Sequence, residues 1–205
     1  VTFKRGYHVY EFTPNATTFY IRFKHTGSGT QDIDDISFVG SGNPVSIDSP
    51  YNSTESLRLD YAQSSDVMYL ADKDEEPFKI TRTGHSSWSL TEVVFTSNPF
   101  GSNNYPRAVA FYEQRLWWAG TDTNPQKLFA SKTGEANYED MTVGTDDDDG
   151  LQFTIASEDV QVIQWLSPGR VLVVGTVSSE FIARGHNLDE AITPTNVQIT
   201  PETTW

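Results

Sequence analysis

The sequence predicts an all-β chain. Residues 42–205 read as a partial β-propeller of about three blades, each of four antiparallel strands. Residues 1–41 read as the C-terminal part of a jelly-roll-like β-sandwich. Aromatic residues make up 13% of the 205 residues, a share that suits pleated, half-buried surfaces. Gly and Pro are scattered throughout, as turns require, and no long run of Ala, Leu, Glu and Lys at helical spacing interrupts them. The strongest observation is that the chain repeats itself with a period near fifty residues.

The first forty residues stand outside the repeat. "TTFYIRFKHTG" alternates, with Phe19, Ile21 and Phe23 on one face and Tyr20, Arg22 and Lys24 on the other, the pattern of a half-buried strand. "YHVYEF" and "DIDDISFVG" flank it, and Gly27, Gly29, Gly40 and Gly42 mark turns. Three strands are too few for a stable domain, so they read as the end of a sandwich, with "GSGNP" (Gly40 to Pro44) as the linker.

The repeat follows. "DVMYLADKDEEPFKITRTG" begins at Asp66, "RLWWAGTDTNPQKLFASKTG" at Arg115 and "RVLVVGTVSSEFIARG" at Arg170. Each is an apolar strand, a polar turn and a second strand that ends in a basic residue before Gly. Val67, Leu116 and Val171 head the first strands, at steps of 49 and 55 residues. Phe78, Leu128 and Phe181 begin the second strands, and Gly84, Gly134 and Gly185 close them. A further strand follows in each unit: "WSLTEVVF" from Trp88, "YEDMTV" from Tyr138 and "TNVQIT" from Thr195. Another precedes each unit: "LRLDYA", "AVAFY" and "VQVIQWL". A four-stranded unit cannot bury both faces alone and stacks on its neighbours. Val67, Tyr69, Leu116, Trp117, Trp118, Val171 and Val173 are the expected core of the repeat. In this alignment Trp117 and Trp118 fill the slots of Met68–Tyr69 and Leu172–Val173. Successive strand residues point to opposite faces, so the two indoles part.

Chemistry is sparse. The chain has no cysteine, which excludes disulfides, thiolate metal sites and cysteine nucleophiles. No apolar run reaches the about 20 residues of a membrane span. The net charge of -14 repels phosphates and argues against a DNA-gripping role. "TDDDDG" (Thr145 to Gly150) invites a calcium reading, but with Gly150 at the invariant glycine of a calcium loop, Thr145 and Ala156 fall on the outer ligand positions. It reads as a solvated loop ahead of strand "LQFTI", and "DIDD" (Asp32 to Asp35) reads alike. His8, His25, His85 and His186 show no metal-binding spacing. "GHSSWS" is not a nucleophile elbow, no phosphate-binding glycine loop occurs, and the sequons at Asn15 and Asn52 matter only in a secretory pathway. Arg115 reads as a guanidinium that stacks on a ring or bonds a neighbouring carbonyl or carboxylate. No catalytic, cofactor-binding or metal residues are predicted.

Four stretches resemble the tail nozzle, or tail tubular protein B-like, family of short-tailed bacteriophages. They are "SPYNSTESLRLDYAQSSDVMYLA", "PFKITRTGHSSWSLTEVVF", "YPRAVAFYEQRLWWAGTDTNPQKLFASKTG" and "ITPTNVQITPETTW". The third is the most specific. Together they cover about Val45 to Trp205. Gly6 to Val39 is similar to the end of a jelly-roll domain inserted in some members. The resemblance implies a non-catalytic virion protein of the phage tail. Its copies would form a homo-oligomeric ring, hexameric in this family, in contact with adaptor and tail fibre proteins. The ring would form a channel through which DNA is ejected without being specifically bound. Acidic charge suits such a conduit, and Asp146, Asp147, Asp148 and Asp149 are candidates to line it. The alternative is a carbohydrate-binding or sugar-cleaving propeller beside a lectin-like sandwich module, with exposed aromatics and a carboxylate pair.

Overall fold

A computed structural model describes residues 46–157 and 160–204. The chain divides into two compact units, Val1–Pro44 and Val45–Trp205. The described residues belong to the second, and the sandwich strands expected over residues 1–41 lie outside them.

Three four-stranded antiparallel sheets follow one another along the chain. The first holds β1 (Asp60–Ser64), β2 (Val67–Asp72), β3 (Glu75–Gly84) and β4 (Ser87–Glu92). The second holds β5 (Ala108–Tyr112), β6 (Arg115–Ala119), β7 (Lys127–Ala130) and β8 (Leu151–Thr154). The third holds β9 (Ile163–Pro168), β10 (Leu172–Thr176), β11 (Ser179–Arg184) and β12 (Gln198–Thr204). Within each sheet every strand pairs with the next in sequence. Among the described residues the only helical pieces are the 3-10 turns Glu55–Leu57 and Glu135–Asn137, and no sheet closes on itself. The first strands of successive sheets are neighbours, β1 beside β5 and β5 beside β9.

Two apolar layers hold the sheets together. Between the first and second sheets lie Ala62, Tyr69, Ala71, Val109, Leu116, Trp118 and Phe129, joined by Phe100 and Met141. Between the second and third lie Ala108, Ala110, Trp117, Leu128, Leu151, Ile163, Leu172, Val174 and Phe181. The two tryptophans are wholly buried and face opposite layers. Trp117 Nε1 donates to the Tyr112 carbonyl at 3.0 Å. Trp118 meets the rings of Tyr69, Phe95 and Phe100 edge to face, an arrangement that suits the ring quadrupoles, and its Nε1 has no partner.

The register differs by one residue from the sequence alignment. The β1–β2 turn joins Ser64 to Val67 and the β5–β6 turn joins Tyr112 to Arg115. Each turn has two central residues, which sets Val67 opposite Arg115 in the repeat. Trp117 is therefore the counterpart of Tyr69, and Trp118 of Leu70. The hairpin turn fixes register, whereas the alignment is keyed to the first apolar residue and leaves Arg115 outside the strand. In the third sheet β10 starts at Leu172, and Val171 belongs to the turn, where its carbonyl accepts from Gly169 at 3.1 Å.

One expected strand is absent. "YEDMTV" is irregular, and the fourth strand of the second sheet is Leu151–Thr154. The Met141 N–H donates to Thr96 O and the Thr96 N–H to Glu139 O, both at 2.9 Å. These bonds tie the run to the segment after β4, and Met141 drops into the layer between the first two sheets.

Candidate functional site

The acid run sits at one end of the second sheet, in the long connection between β7 and β8. Opposite it is the β5–β6 turn, whose residues Glu113 and Gln114 have φ of 47° and 60°, the left-handed pair that tight hairpins demand. This turn aims Arg115 into the sheet, where it is 1% exposed. Its Nη1 donates to the carbonyls of Ser131 at 2.7 Å and Asp149 at 2.5 Å, and its Nη2 to the Asp147 carbonyl at 2.5 Å. Burial pulls its pKa down, and the carboxylates of Asp148, Glu113, Asp149 and Asp147 pull it back. Arg115 thus pins the acid loop by its main chain.

The side chains of Asp146, Asp147 and Asp148 are exposed. No ion pair among the described residues involves them. Asp149 is different. It is partly buried, pairs with Lys132 at 2.9 Å and accepts from the Asp146 N–H at 3.2 Å. The hydrogen bond from Lys132 holds its pKa below the usual carboxylate range. Gly144 makes room for it, since a Cβ there would come within 1.8 Å of Asp149 Oδ2.

An open cleft of about 590 Å³ lies between the Glu113–Gln114 turn, the acid loop and residues 188–193. Glu113, Asp147, Asp148, Asp189 and Glu190 line it. Glu113 Oε2 accepts from the Ile192 N–H at 2.6 Å, joining the second sheet to the loop of the third. Glu190 accepts from Asn187 at 2.7 Å and Asn196 at 3.2 Å, and its pKa is lowered, chiefly by Asn187. A carboxylate with a lowered pKa is a weak base that stays charged, so this end of the molecule carries standing negative charge. Among the described residues no group of three or more His, Cys, Asp or Glu could hold a metal ion.

The remaining residues named from sequence are scattered. Tyr69 and Leu116 are buried, while Val67, Val171 and Val173 are half-buried. His85 and His186 are exposed, and the His85 carbonyl accepts from Trp88 Nε1 at 3.2 Å. Asn52 caps the turn at Glu55, its Oδ1 accepting from the Thr54 and Glu55 N–H groups at 2.8 and 3.1 Å. His8, His25, Asn15 and Asp32 to Asp35 lie outside the described residues.

Sequence reasoning missed several polar ties. Asp60 Oδ2 accepts from the Val109 N–H at 2.9 Å, bridging β1 and β5. Burial raises the Asp60 pKa, against the backbone donors Val109 and Tyr61. Asp72 is buried and binds Arg58 through both carboxylate oxygens, at 2.6 and 2.8 Å. Tyr69 Oη donates to Glu139 at 3.1 Å, and Lys79 pairs with the same carboxylate. The one available signal was an acid closing an apolar run, as Asp72 does in "VMYLAD". Among known proteins, the chain matches no protein-family model and no curated protein.

Proposed function

We propose that this chain is a structural virion protein, a subunit of the tail nozzle of a short-tailed bacteriophage, and that its copies ring a channel for DNA ejection. The observation that carries the reading is the resemblance of "YPRAVAFYEQRLWWAGTDTNPQKLFASKTG", which spans β5 to β7 and the turn after it. On this reading the three sheets are blades of a propeller and β1, β5 and β9 are its innermost strands; their side-by-side order supports it. Adaptor and tail fibre proteins are the neighbours the resemblance implies. The exposed acids Asp146, Asp147 and Asp148 belong to the channel wall. Their role is to keep passing phosphates from sticking, as like charges in a confined passage do.

The test is made on particles of the phage that encodes the chain. Mass spectrometry of purified virions finds the chain, and labelled antibody marks the tail. Particles made without it fail to deliver their DNA. Virions free of the chain, or full delivery without it, would overturn the proposal.

A further inference from the structure

We infer that the Glu113–Gln114 turn is a sprung clasp, which makes the acid loop and the loop at residues 186–196 open and close as one unit. The inference stands apart from the virion reading and rests on bonds within the second and third sheets and their loops.

The turn is strained. Glu113 and Gln114 have φ of 47° and 60°, a region that L side chains rarely adopt. A two-residue hairpin turn of this kind is least strained with Asn-Gly, and here it carries Glu-Gln. The corresponding turn of the first sheet, Ser65–Asp66, has only Ser65 at positive φ, 53°. Backbone held in such a region persists where its surroundings over-determine it, so the bonds that hold the turn mark what it is coupled to.

Two segments hold it from outside the hairpin. Glu113 Oε2 accepts from the Ile192 N–H at 2.6 Å, and the Gln114 carbonyl accepts from the Gly134 N–H at 2.9 Å. The first segment is braced on its own account. Ile192 is buried in the layer between the second and third sheets, and Asn196 ties its loop together through Glu190, Ala191 and His186. The second segment leads to the acid loop, because the Thr133 N–H donates to the Asp148 carbonyl at 3.0 Å. Arg115, the residue after the turn, reaches the same loop through the carbonyls of Asp147 and Asp149. The turn is thus bonded to the third-sheet loop at Glu113 and joined to the acid loop by two routes.

Loss of the Glu113 bond frees the strained backbone, which relaxes and takes the Gly134 and Arg115 bonds with it. Like charge adds to the spring. Glu113, Asp147 and Asp148 line one cleft with Asp189 and Glu190, and charges of one sign repel. Anything that grips either loop therefore biases the other, as coupled sites must.

The experiment is native-state hydrogen exchange on the full chain, read by NMR at the amides of Ile192, Gly134 and Thr133. In the wild type the three are expected to share one opening equilibrium. Glu113→Ala is expected to lower the protection of all three together by at least about tenfold, as loss of a hydrogen bond to a charged group does, while β10 and β11 keep theirs. Glu113→Asn combined with Gln114→Gly builds a relaxed turn with no carboxylate to reach Ile192. There Ile192 alone is expected to lose protection, with Gly134 and Thr133 at the wild-type level or above. Glu113→Ala that leaves Gly134 and Thr133 protected overturns the inference, as does a relaxed turn that still loses all three together. If a variant fails to fold, the wild type decides under rising denaturant: three amides that merge onto one opening curve support the clasp, and three separate curves overturn it.

Discussion

Arg115 binds the main chain of Asp147 and leaves its carboxylate free. A buried guanidinium normally meets an acid, and four lie near this one. Here three backbone carbonyls take its donors instead, and the Asp147 and Asp148 side chains stay exposed.

Arg115→Met should therefore loosen the acid loop and destabilise the second sheet. Three carbonyl acceptors lose their donors, one buried and two partly buried, and one unsatisfied buried group costs about 1–3 kcal/mol. A loss of about 1–3 kcal/mol is expected by urea unfolding, with faster proteolytic cutting between Thr145 and Gly150. Arg115→Lys should rescue little, since an ammonium cannot reproduce the planar fork. A variant as stable as wild type would remove the pinning role.

Trp117 and Trp118 fill different layers, and truncating either to Ala should cost about 3–5 kcal/mol. Replacement by Phe separates them. Trp117→Phe also loses the bond to the Tyr112 carbonyl, worth about 1 kcal/mol. Trp118 has no such bond to lose, so Trp118→Phe should be the milder change in a paired comparison of denaturation midpoints. The reverse order would contradict a stabilising role for the Trp117 hydrogen bond.

Asp60 and Asp149 should respond to pH in opposite senses. The Asp60 pKa is raised by burial, so folding disfavours its charge: its contribution is most favourable below the unfolded value and declines as pH rises through the folded one. Asp60→Asn keeps an acceptor for the Val109 N–H without the charge. It should match or exceed wild-type stability at neutral pH, with the gap closing below about pH 4. The Asp149 pKa is lowered by Lys132. Its contribution is present above the unfolded value and is lost as pH falls through the folded one. Asp149→Asn should thus destabilise at neutral pH and make no difference in acid. Unfolding curves at several pH values check both signs.

Neutralising Asp146, Asp147 and Asp148 to Asn together should lower Tm only slightly, because all three are exposed and form no ion pair among the described residues, while Asp147 and Asp148 lend distant support to the Arg115 charge. In phage particles the same triple change should slow DNA release. Unchanged release kinetics would remove these acids from the channel wall.

The sheets were legible because a meander writes itself locally: an apolar run, a turn and a second run, three times over. Trp117 and Trp118 could be assigned to opposite faces from adjacency alone. Their register could not, because it depends on a turn closing between Tyr112 and Arg115, and Arg115 looks like a surface residue until its carbonyl partners are in place. "YEDMTV" alternates like a strand, yet its Met141 N–H bonds Thr96, far upstream, and its Thr142 N–H turns to the Asp140 side chain. Asp60 and Glu113 were invisible for a related reason. Each serves a backbone donor about fifty or more residues away, and nothing in the local pattern marks an acid for that task.

Among the described residues every strand pairs only with a sequence neighbour, so none of these strands is threaded between others from a distant part of the chain. Pulled from its two ends, such a chain unravels as a series of separate events, one per sheet, in the manner of stacked repeats. Among the described residues the first and third sheets each pack on one other sheet, and they yield at lower force. The middle one, gripped on both sides by tryptophan, is the mechanical anchor of the whole stack.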